Sequence, residues 1–338
     1  MTIRLLSIFV ICGLLSAAAS GAELVRMEAD QDHMGARFRL VIYADSQERG
    51  RAAITAAFAR IKQLDNMLSD YDDASELSRL SRSAPAKKPV KVSDDLWRVL
   101  SFSQSISRHS DGAFDVTVGP YVKLWRRARR RKEMVKPERL VTARHSVGYQ
   151  HVRLDEANRT VRLLRPAMRL DLGAVAKGYA ADKALSVLQR HGCGRALIDA
   201  GGDVVLGDPP PGKTGWRIGI ASHDDKLGKP TRHLVLARVA IATSGDSQQF
   251  VTLDGVRYSH IIDPRTGLGL TDHSRVTVIA KTGMSADALA SAVSVLGSKK
   301  GLALVESECG AAVLILRLEG ETMRTYESKR FGRLVESR

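Results

Sequence analysis

Residues 169–191 constrain this chain more than any other stretch. Arg169-Leu-Asp171-Leu reads as an apolar strand, Gly173-Ala174-Val-Ala176-Lys177-Gly178 as a turn of small residues, and 175–191 as a helix ending at Gly192. A strand that turns into a helix this way leaves unpaired N–H groups at the helix start, where a phosphate can be bound. The segment therefore reads as a phosphate or metal site with Lys177 as a point charge, or equally as a plain strand-to-helix turn with a solvated lysine. Both readings require a core that combines strands with helices.

The rest of the chain fits that requirement. Residues 36–43 alternate as a strand does, and 48–68 place Ile54, Ala57, Phe58, Ile61, Leu64 and Leu68 at helical spacing. Asp94 and Asp95 open a helix through Leu96, Val99, Leu100 and Ile106, their charges suiting its N-terminus. A strand pair is predicted at 151–155 and 160–164 around Glu156-Ala-Asn158, and short strands Ala196–Asp199 and Val204–Leu206 flank Gly201-Gly202. Further strands fall near 216–221, 233–237, 257–262 and 275–280, followed by a helix at 285–296 and a helix–strand unit at 299–307 and 311–318. Strands and helices without strict βαβ alternation predict an α+β fold with mixed sheets. The 338 residues suffice for one large domain or two modest ones, and the one soft boundary is the basic stretch 126–139.

Charge and the N-terminus bound the setting. Lysine and arginine number 52 against 37 acidic residues, a net +15 that favours an anionic partner. Aromatics at 5% leave few platforms for stacking single-stranded nucleic acid. Arg4 precedes the uncharged run Leu5 to Ala19, and Ser20-Gly21-Ala22 follows, the pattern of a secretory signal peptide over 1–22. The run is short and Ala/Ser-rich for a membrane span, and no second stretch is long enough, so an exported, soluble, periplasmic protein is expected. Export removes nucleic acid as a partner and leaves a membrane surface, an acidic protein or nucleotide phosphates. Cys12 would leave with the signal; Cys193 and Cys309 remain, as a disulfide or as two thiols. Residues 326–338 read as a disordered basic tail.

Three more segments carry chemistry. Asp199-Ala-Gly201-Gly202-Asp203 is, alone, a tight turn. Thr243-Ser-Gly245-Asp246 precedes Tyr258-Ser259-His260-Ile261-Ile262-Asp263-Pro264-Arg265-Thr266-Gly267, in which His260 ends an apolar strand, a place where a lone histidine is more often structural than catalytic. In Ser285-Ala286-Asp287-Ala288-Leu289-Ala290-Ser291, Asp287 and Ser291 lie one turn apart on one helix face and suit a hard cation such as Mg²⁺ beside phosphates. By itself the segment is better read as a capped helix start, Ser285 capping and Asp287 facing the helix dipole.

Taken in order, seven motifs change that balance: Met34-Gly35-Ala36; Leu68-Ser69-Asp70-Tyr71 with Ser75-Glu76-Leu77-Ser78-Arg79; Asp111-Gly-Ala-Phe-Asp115-Val-Thr-Val-Gly119-Pro120; Asp171 to Gly178; Gly201-Gly202-Asp203; Ser259 to Gly267; and Ala286 to Ser291. From about Met34 to about Leu318 the chain resembles the ApbE family of FAD:protein FMN transferases. The resemblance implies one ApbE-like domain over 23–325, with mixed β-sheets flanked by helices and a flavin site in the cleft between sub-domains. It implies FAD contacts at Met34, Tyr71, Ala113, Phe114, Asp115, Asp171, Lys177 and His260. It also implies Mg²⁺ held by the backbone carbonyl of Ala174 and the side chains of Asp287 and Ser291. The family usually has Thr where Ala36 and Ser291 stand; Ser291 keeps an oxygen ligand, and Ala36 lacks a hydroxyl.

The chemistry so implied is cleavage of FAD at its pyrophosphate. FMN passes to a Thr or Ser hydroxyl in an Asp/Ser-Gly-Ala-Thr/Ser type motif of an acceptor protein, and AMP leaves. A hydroxyl needs a base, with Asp287 ranked first and His260 second. An Mg²⁺-dependent FAD pyrophosphatase and a non-catalytic flavin-binding protein are the alternatives, the second weakened by Asp287 and Ser291, which a pure binder would not need. The segment Lys123–Arg139 holds nine basic residues against Glu133 and Glu138, a net +7 of the chain's +15. It contributes no matched flavin or metal residue, and reads as solvated surface or as a dock for an acidic acceptor or an anionic membrane.

Overall fold

Phe38, Leu40 and Ile42, every second residue of the alternating segment, are fully buried, and the segment is the strand β2 (Ala36–Ala44). It pairs antiparallel with β1 (Val25–His33), whose polar sequence hides its half-buried face of Met27 and Ala29. These residues belong to a computed structural model that describes residues 23–220, 232–245 and 250–334; the expected signal segment and Asp246 lie outside the described residues.

In chain order the helices are α1 (Gln47–Leu68), α2 (Glu76–Arg82), α3 (Asp94–His109), α4 (Gly119–Arg131), α5 (Pro137–Arg144), α6 (Ala176–Arg190), α7 (Gly283–Ser307) and α8 (Lys329–Gly332). The further strands are β3 (Val90–Lys91), β4 (Val152–Asp155), β5 (Thr160–Leu163), β6 (Ala196–Ala200), β7 (Val204–Leu206), β8 (Trp216–Ile220), β9 (Arg232–Leu236), β10 (Ala240–Gly245), β11 (Phe250–Leu253), β12 (Val256–Ser259), β13 (Ser274–Ala280), β14 (Ala312–Glu319) and β15 (Thr322–Glu327).

One eight-stranded sheet, in the order β1-β2-β6-β7-β10-β13-β14-β15, forms the centre. The α+β class holds, and the mixture is one of sheets with helices: among the described residues each strand pair is antiparallel, and the parallel contact is a single bridge between Val118 and Arg169. In β14, Val313 and Ile315 face a core built with α1, α6 and α7, whereas Leu314 and Leu316 face the opposite layer. That second layer is the β8–β9 hairpin together with α8.

Two expectations change, for the C-terminal tail and for α7, and the open choice for the two cysteines is decided. The tail from 326 is built into the second layer through Leu334: Phe331 is buried under the sheet, and the Ser328 hydroxyl caps α8 while accepting the backbone N–H of Val313. Cys193 is buried and Cys309 exposed, and both are free thiols. By length and composition α7 is apolar enough to cross a membrane, which the sequence reading did not find; half of its most apolar window is buried against the rest of the protein. Its kink at Gly297, where φ is 74°, separates the two helical segments predicted there.

The basic stretch forms a lobe of its own. Tyr121, Trp125 and Ala128 of α4 pack with Val135, Leu253 and Ile262, so α4, α5 and the β11–β12 hairpin share a small separate core. Trp125 Nε1 donates to the Gly267 carbonyl at 2.7 Å, and its ring lies 5.0 Å from that of Tyr258. Gly267 has φ of 75° and a Cβ there would sit 2.6 Å from the Tyr121 ring, so this turn requires glycine.

Candidate functional site

The N-termini of α6 and α7 meet, and glycine lets them. A Cβ on Gly178 would stand 2.1 Å from the Gly283 carbonyl oxygen, and one on Gly283 would stand 2.5 Å from the Gly178 oxygen. The small residues at these positions bring two helix starts together. Thr282, rather than Ser285, caps α7, accepting from the Ser285 N–H at 3.2 Å. Asp182 of α6 accepts from the N–H groups of Gly283 at 2.7 Å and Met284 at 3.0 Å. With the helix start satisfied by these two groups, Asp287 is released from the capping role that its sequence position also permits.

Asp287 sits instead in a cluster of charges. Lys177 Nζ lies 2.5 Å from Asp203 Oδ2 and 3.5 Å from Asp287 Oδ2, and the Gly178 N–H donates to the same Asp287 oxygen at 3.3 Å. Asp287 is 4% exposed. Burial pushes its carboxyl up to about 7; Lys177 opposes that shift and the Asp203 charge adds to it. Burial also works against the ammonium of Lys177, but Asp287 and Asp203 outweigh it and hold Nζ protonated. Asp203 was part of a quoted motif without a role; the tight β6–β7 turn, with the Asp199 carboxylate accepting from the Gly202 N–H at 2.7 Å, delivers it to Lys177.

The donor chemistry here fits a hard cation. Asp287 Oδ1 accepts no hydrogen bond among the described residues, the half-buried Ser291 follows one turn later on the same helix face, and Ala174 lies in the half-buried turn ahead of α6. A carboxylate, a hydroxyl and a backbone carbonyl are oxygen ligands suited to Mg²⁺. Among the described residues no cluster of three or more His, Cys, Asp or Glu side chains offers a competing metal site.

A second group of charges lies at the junction with the α4 lobe. Arg126 forks onto both oxygens of Asp70 and reaches Asp171 Oδ2 at 3.1 Å. Its guanidinium carbon lies 3.9 Å from the centre of the Tyr71 ring, which is 78% exposed. Asp171 also accepts from the Gly173 N–H at 2.9 Å, and burial, with the neighbouring Asp70 charge, raises its carboxyl despite Arg126. One member of the basic stretch is thus wired to two residues matched to flavin, Tyr71 and Asp171, although the sequence offered no link between them.

The remaining predicted residues occupy several places. Met34, at φ of 52° in the β1–β2 turn, donates its N–H to Asp65 at 3.1 Å. Ala36 lies under the glycine step, since a Cβ on Gly201 would meet the Ala36 Cβ at 2.7 Å. Ala113 and Phe114 are buried. Both carboxylate oxygens of Asp115 are taken within its own neighbourhood, Oδ1 by Thr117 N–H and hydroxyl and Oδ2 by the Tyr149 N–H. This motif joins the site through the Asp171 N–H, which donates to the Val116 carbonyl at 2.8 Å. His260 is exposed at the end of β12, on the lobe's hairpin, beside the turn held by the Asp263–Arg265 pair. A cavity of about 840 Å³ lies against α3 and α6, lined by Phe102, Tyr179, Lys183 and Ser186, and contains none of the predicted residues.

Along most of its length the chain is similar to known proteins. A sequence model described as the ApbE family matches residues 34–315. The chain is 34% identical over 279 residues to the FAD:protein FMN transferase of Treponema pallidum, covering 78% of this chain and 77% of that one. It is 32% identical over 283 residues to the protein of that name from Escherichia coli K12, covering 81% and 79%. The fold superposes on the ApbE protein of Thermotoga maritima with a TM-score of 0.82 at 29% identity, over 93% of this chain and 100% of that one. The flavin transferase ApbE of Vibrio cholerae gives the same TM-score and identity, over 92% and 99%. The chain belongs to the ApbE family.

Proposed function

We propose that this protein is a flavin transferase that moves the FMN half of FAD onto a Thr or Ser hydroxyl of an acceptor protein, in a reaction that depends on Mg²⁺ and releases AMP. The observation that carries the reading is the meeting of two helix N-termini around Lys177, Asp203 and Asp287, with a carboxylate oxygen of Asp287 left for a cation. Mg²⁺ would be held by Asp287, Ser291 and the Ala174 carbonyl, and would supply neutralisation of the pyrophosphate charge.

The chain's own groups do the rest. Lys177, kept protonated by its two aspartates, gives a fixed positive charge beside the phosphates. Tyr71, stacked on one face by Arg126, keeps an exposed aromatic surface for the flavin ring. The acceptor oxygen forms a bond to the FMN phosphorus, the bond from that phosphorus to the AMP phosphate oxygen breaks, and the hydroxyl proton passes to a base. Asp287, with its proton affinity raised to about 7, stands first for that role, and His260 second. The acceptor carries an Asp/Ser-Gly-Ala-Thr/Ser type motif, and the enzyme works in the periplasm after loss of residues 1–22.

The test is incubation with FAD, Mg²⁺ and a peptide bearing the motif. AMP release with a fluorescent peptide supports transfer. AMP without a labelled peptide means hydrolysis to FMN and AMP, and absence of AMP leaves a flavin binder.

A further inference from the structure

The cations of the α4–α5 lobe are crowded into one short run, nine of them between Lys123 and Arg139. Arg37, Arg60 and Arg265 form ion pairs with Asp30, Asp95 and Asp263. In the lobe, Arg126 alone does so; Arg127, Arg129, Arg130, Arg131, Lys136 and Arg139 are exposed and have no ion-pair partner among the described residues. Such a face attracts anions over roughly a Debye length, about 8–10 Å at moderate salt. Its position matters as much as its charge. Arg126, on the helix that carries four of these arginines, stacks on Tyr71, and Trp125 of that helix holds the turn after His260 through the Gly267 carbonyl. Whatever covers the exposed face of α4 therefore lies beside the residues matched to flavin.

We infer that this face docks an acidic surface of the acceptor protein and so presents the acceptor's hydroxyl segment to the site; the inference rests on the transferase reading. A bilayer against the same face would satisfy the arginines but bring no hydroxyl to Tyr71 and Lys177, whereas an acidic acceptor does both. Charge matching of this kind acts mainly on encounter, so it belongs in the KM for the acceptor rather than in the KM for FAD.

The experiment compares two peptides carrying the acceptor motif, one flanked by a run of glutamates and one by a run of glutamines, with the full-length enzyme, FAD and Mg²⁺. The wild type should show a KM for the acidic peptide about tenfold below that for the neutral one at low salt. The difference should vanish at about 500 mM salt. It should also vanish in the triple variant Arg127→Glu, Arg130→Glu, Arg131→Glu and shrink in the triple glutamine variant, with the KM for FAD unchanged. Equal labelling of the two peptides by the wild type, or a preference that survives charge reversal, overturns the proposal. If AMP appears but neither peptide is labelled, the transferase reading has failed, and fluorescence anisotropy of the acidic peptide decides the docking: binding lost in the triple variant supports it, equal binding overturns it. Capture by phosphatidylglycerol vesicles that charge reversal abolishes, with no preference between peptides, assigns the face to a membrane and overturns it as well.

Discussion

Lys177 and Arg130 carry the same charge, and the fold uses them in opposite ways. Lys177 is held between Asp203 and Asp287 where two helix starts meet, within hydrogen-bonding reach of both. Arg130 stands in solvent on α4, with no ion-pair partner among the described residues. The first arrangement acts through geometry: one carboxylate displaced, or one ammonium removed, leaves a buried charge uncompensated. The second acts through a field that several residues share, so no single one of them is indispensable. Arg126 joins the two regimes, because it lies in the same basic run yet is fixed by Asp70, Asp171 and the Tyr71 ring. Net charge counts all three residues alike, and only position separates a tuned site from an attractive surface.

The largest effect should come from removing the buried cation. Lys177→Met leaves Asp203 and Asp287 facing each other; urea unfolding should show a loss of about 3–5 kcal/mol, and turnover should fall by about 100-fold or more. Adding Asp287→Asn should recover part of the stability without activity, because the repulsion is then gone. A loss within about 0.5 kcal/mol would mean that the cluster is as loosely coupled as the lobe.

The next effect is on metal affinity. Burial raises the Asp287 carboxyl to about 7, so a proton competes with the cation below that pH. Titration calorimetry should show Mg²⁺ affinity weakening about tenfold per pH unit as pH falls from about 7. The same shift has a sign for the metal-free fold: its folded value lies above the ordinary carboxyl value, so its contribution to stability is present at low pH and is lost as pH rises through about 7. A metal affinity flat between pH 6 and 8 would contradict this assignment of Asp287.

Arg126→Ala should raise the KM for FAD about tenfold while changing kcat by less than about threefold, since ring positioning is lost and the phosphate end is untouched. Flavin fluorescence on binding should be quenched less than in the wild type. Arg126→Lys should fall between, keeping a charge but not the planar fork and stack. The smallest effect belongs to Arg130→Gln alone, expected within about 0.5 kcal/mol of wild-type stability by urea unfolding.

How much of this was legible depended on distance along the chain. The spacing of Asp287 and Ser291, the turn before α6 and the helix α1 are local patterns, and they could be read. The partnership of Lys177 with Asp203 and the reach of Arg126 to Asp70 and Asp171 join residues far apart in sequence, and no local period records them. The same holds at the edges of the fold. The β1 strand is polar along most of its length, and the last helix rests on one buried aromatic, Phe331, in a run that composition marks as a solvated tail. In the capping of α7 the local reading chose the wrong residue: Ser285 looked like the cap, but Thr282 holds that position and Asp182 from another helix supports it. That outside support is what leaves Asp287 available.

The central claim is that Asp287 holds the cation on which flavin transfer depends. Its most direct measurement is the intact mass of a motif-bearing peptide after incubation with FAD and Mg²⁺, for the wild type, the wild type with chelator, and Asp287→Ala. The account predicts an FMN adduct with one AMP released per adduct in the first case and neither product in the other two. An adduct that persists with chelator, or in Asp287→Ala at the wild-type rate, would contradict it.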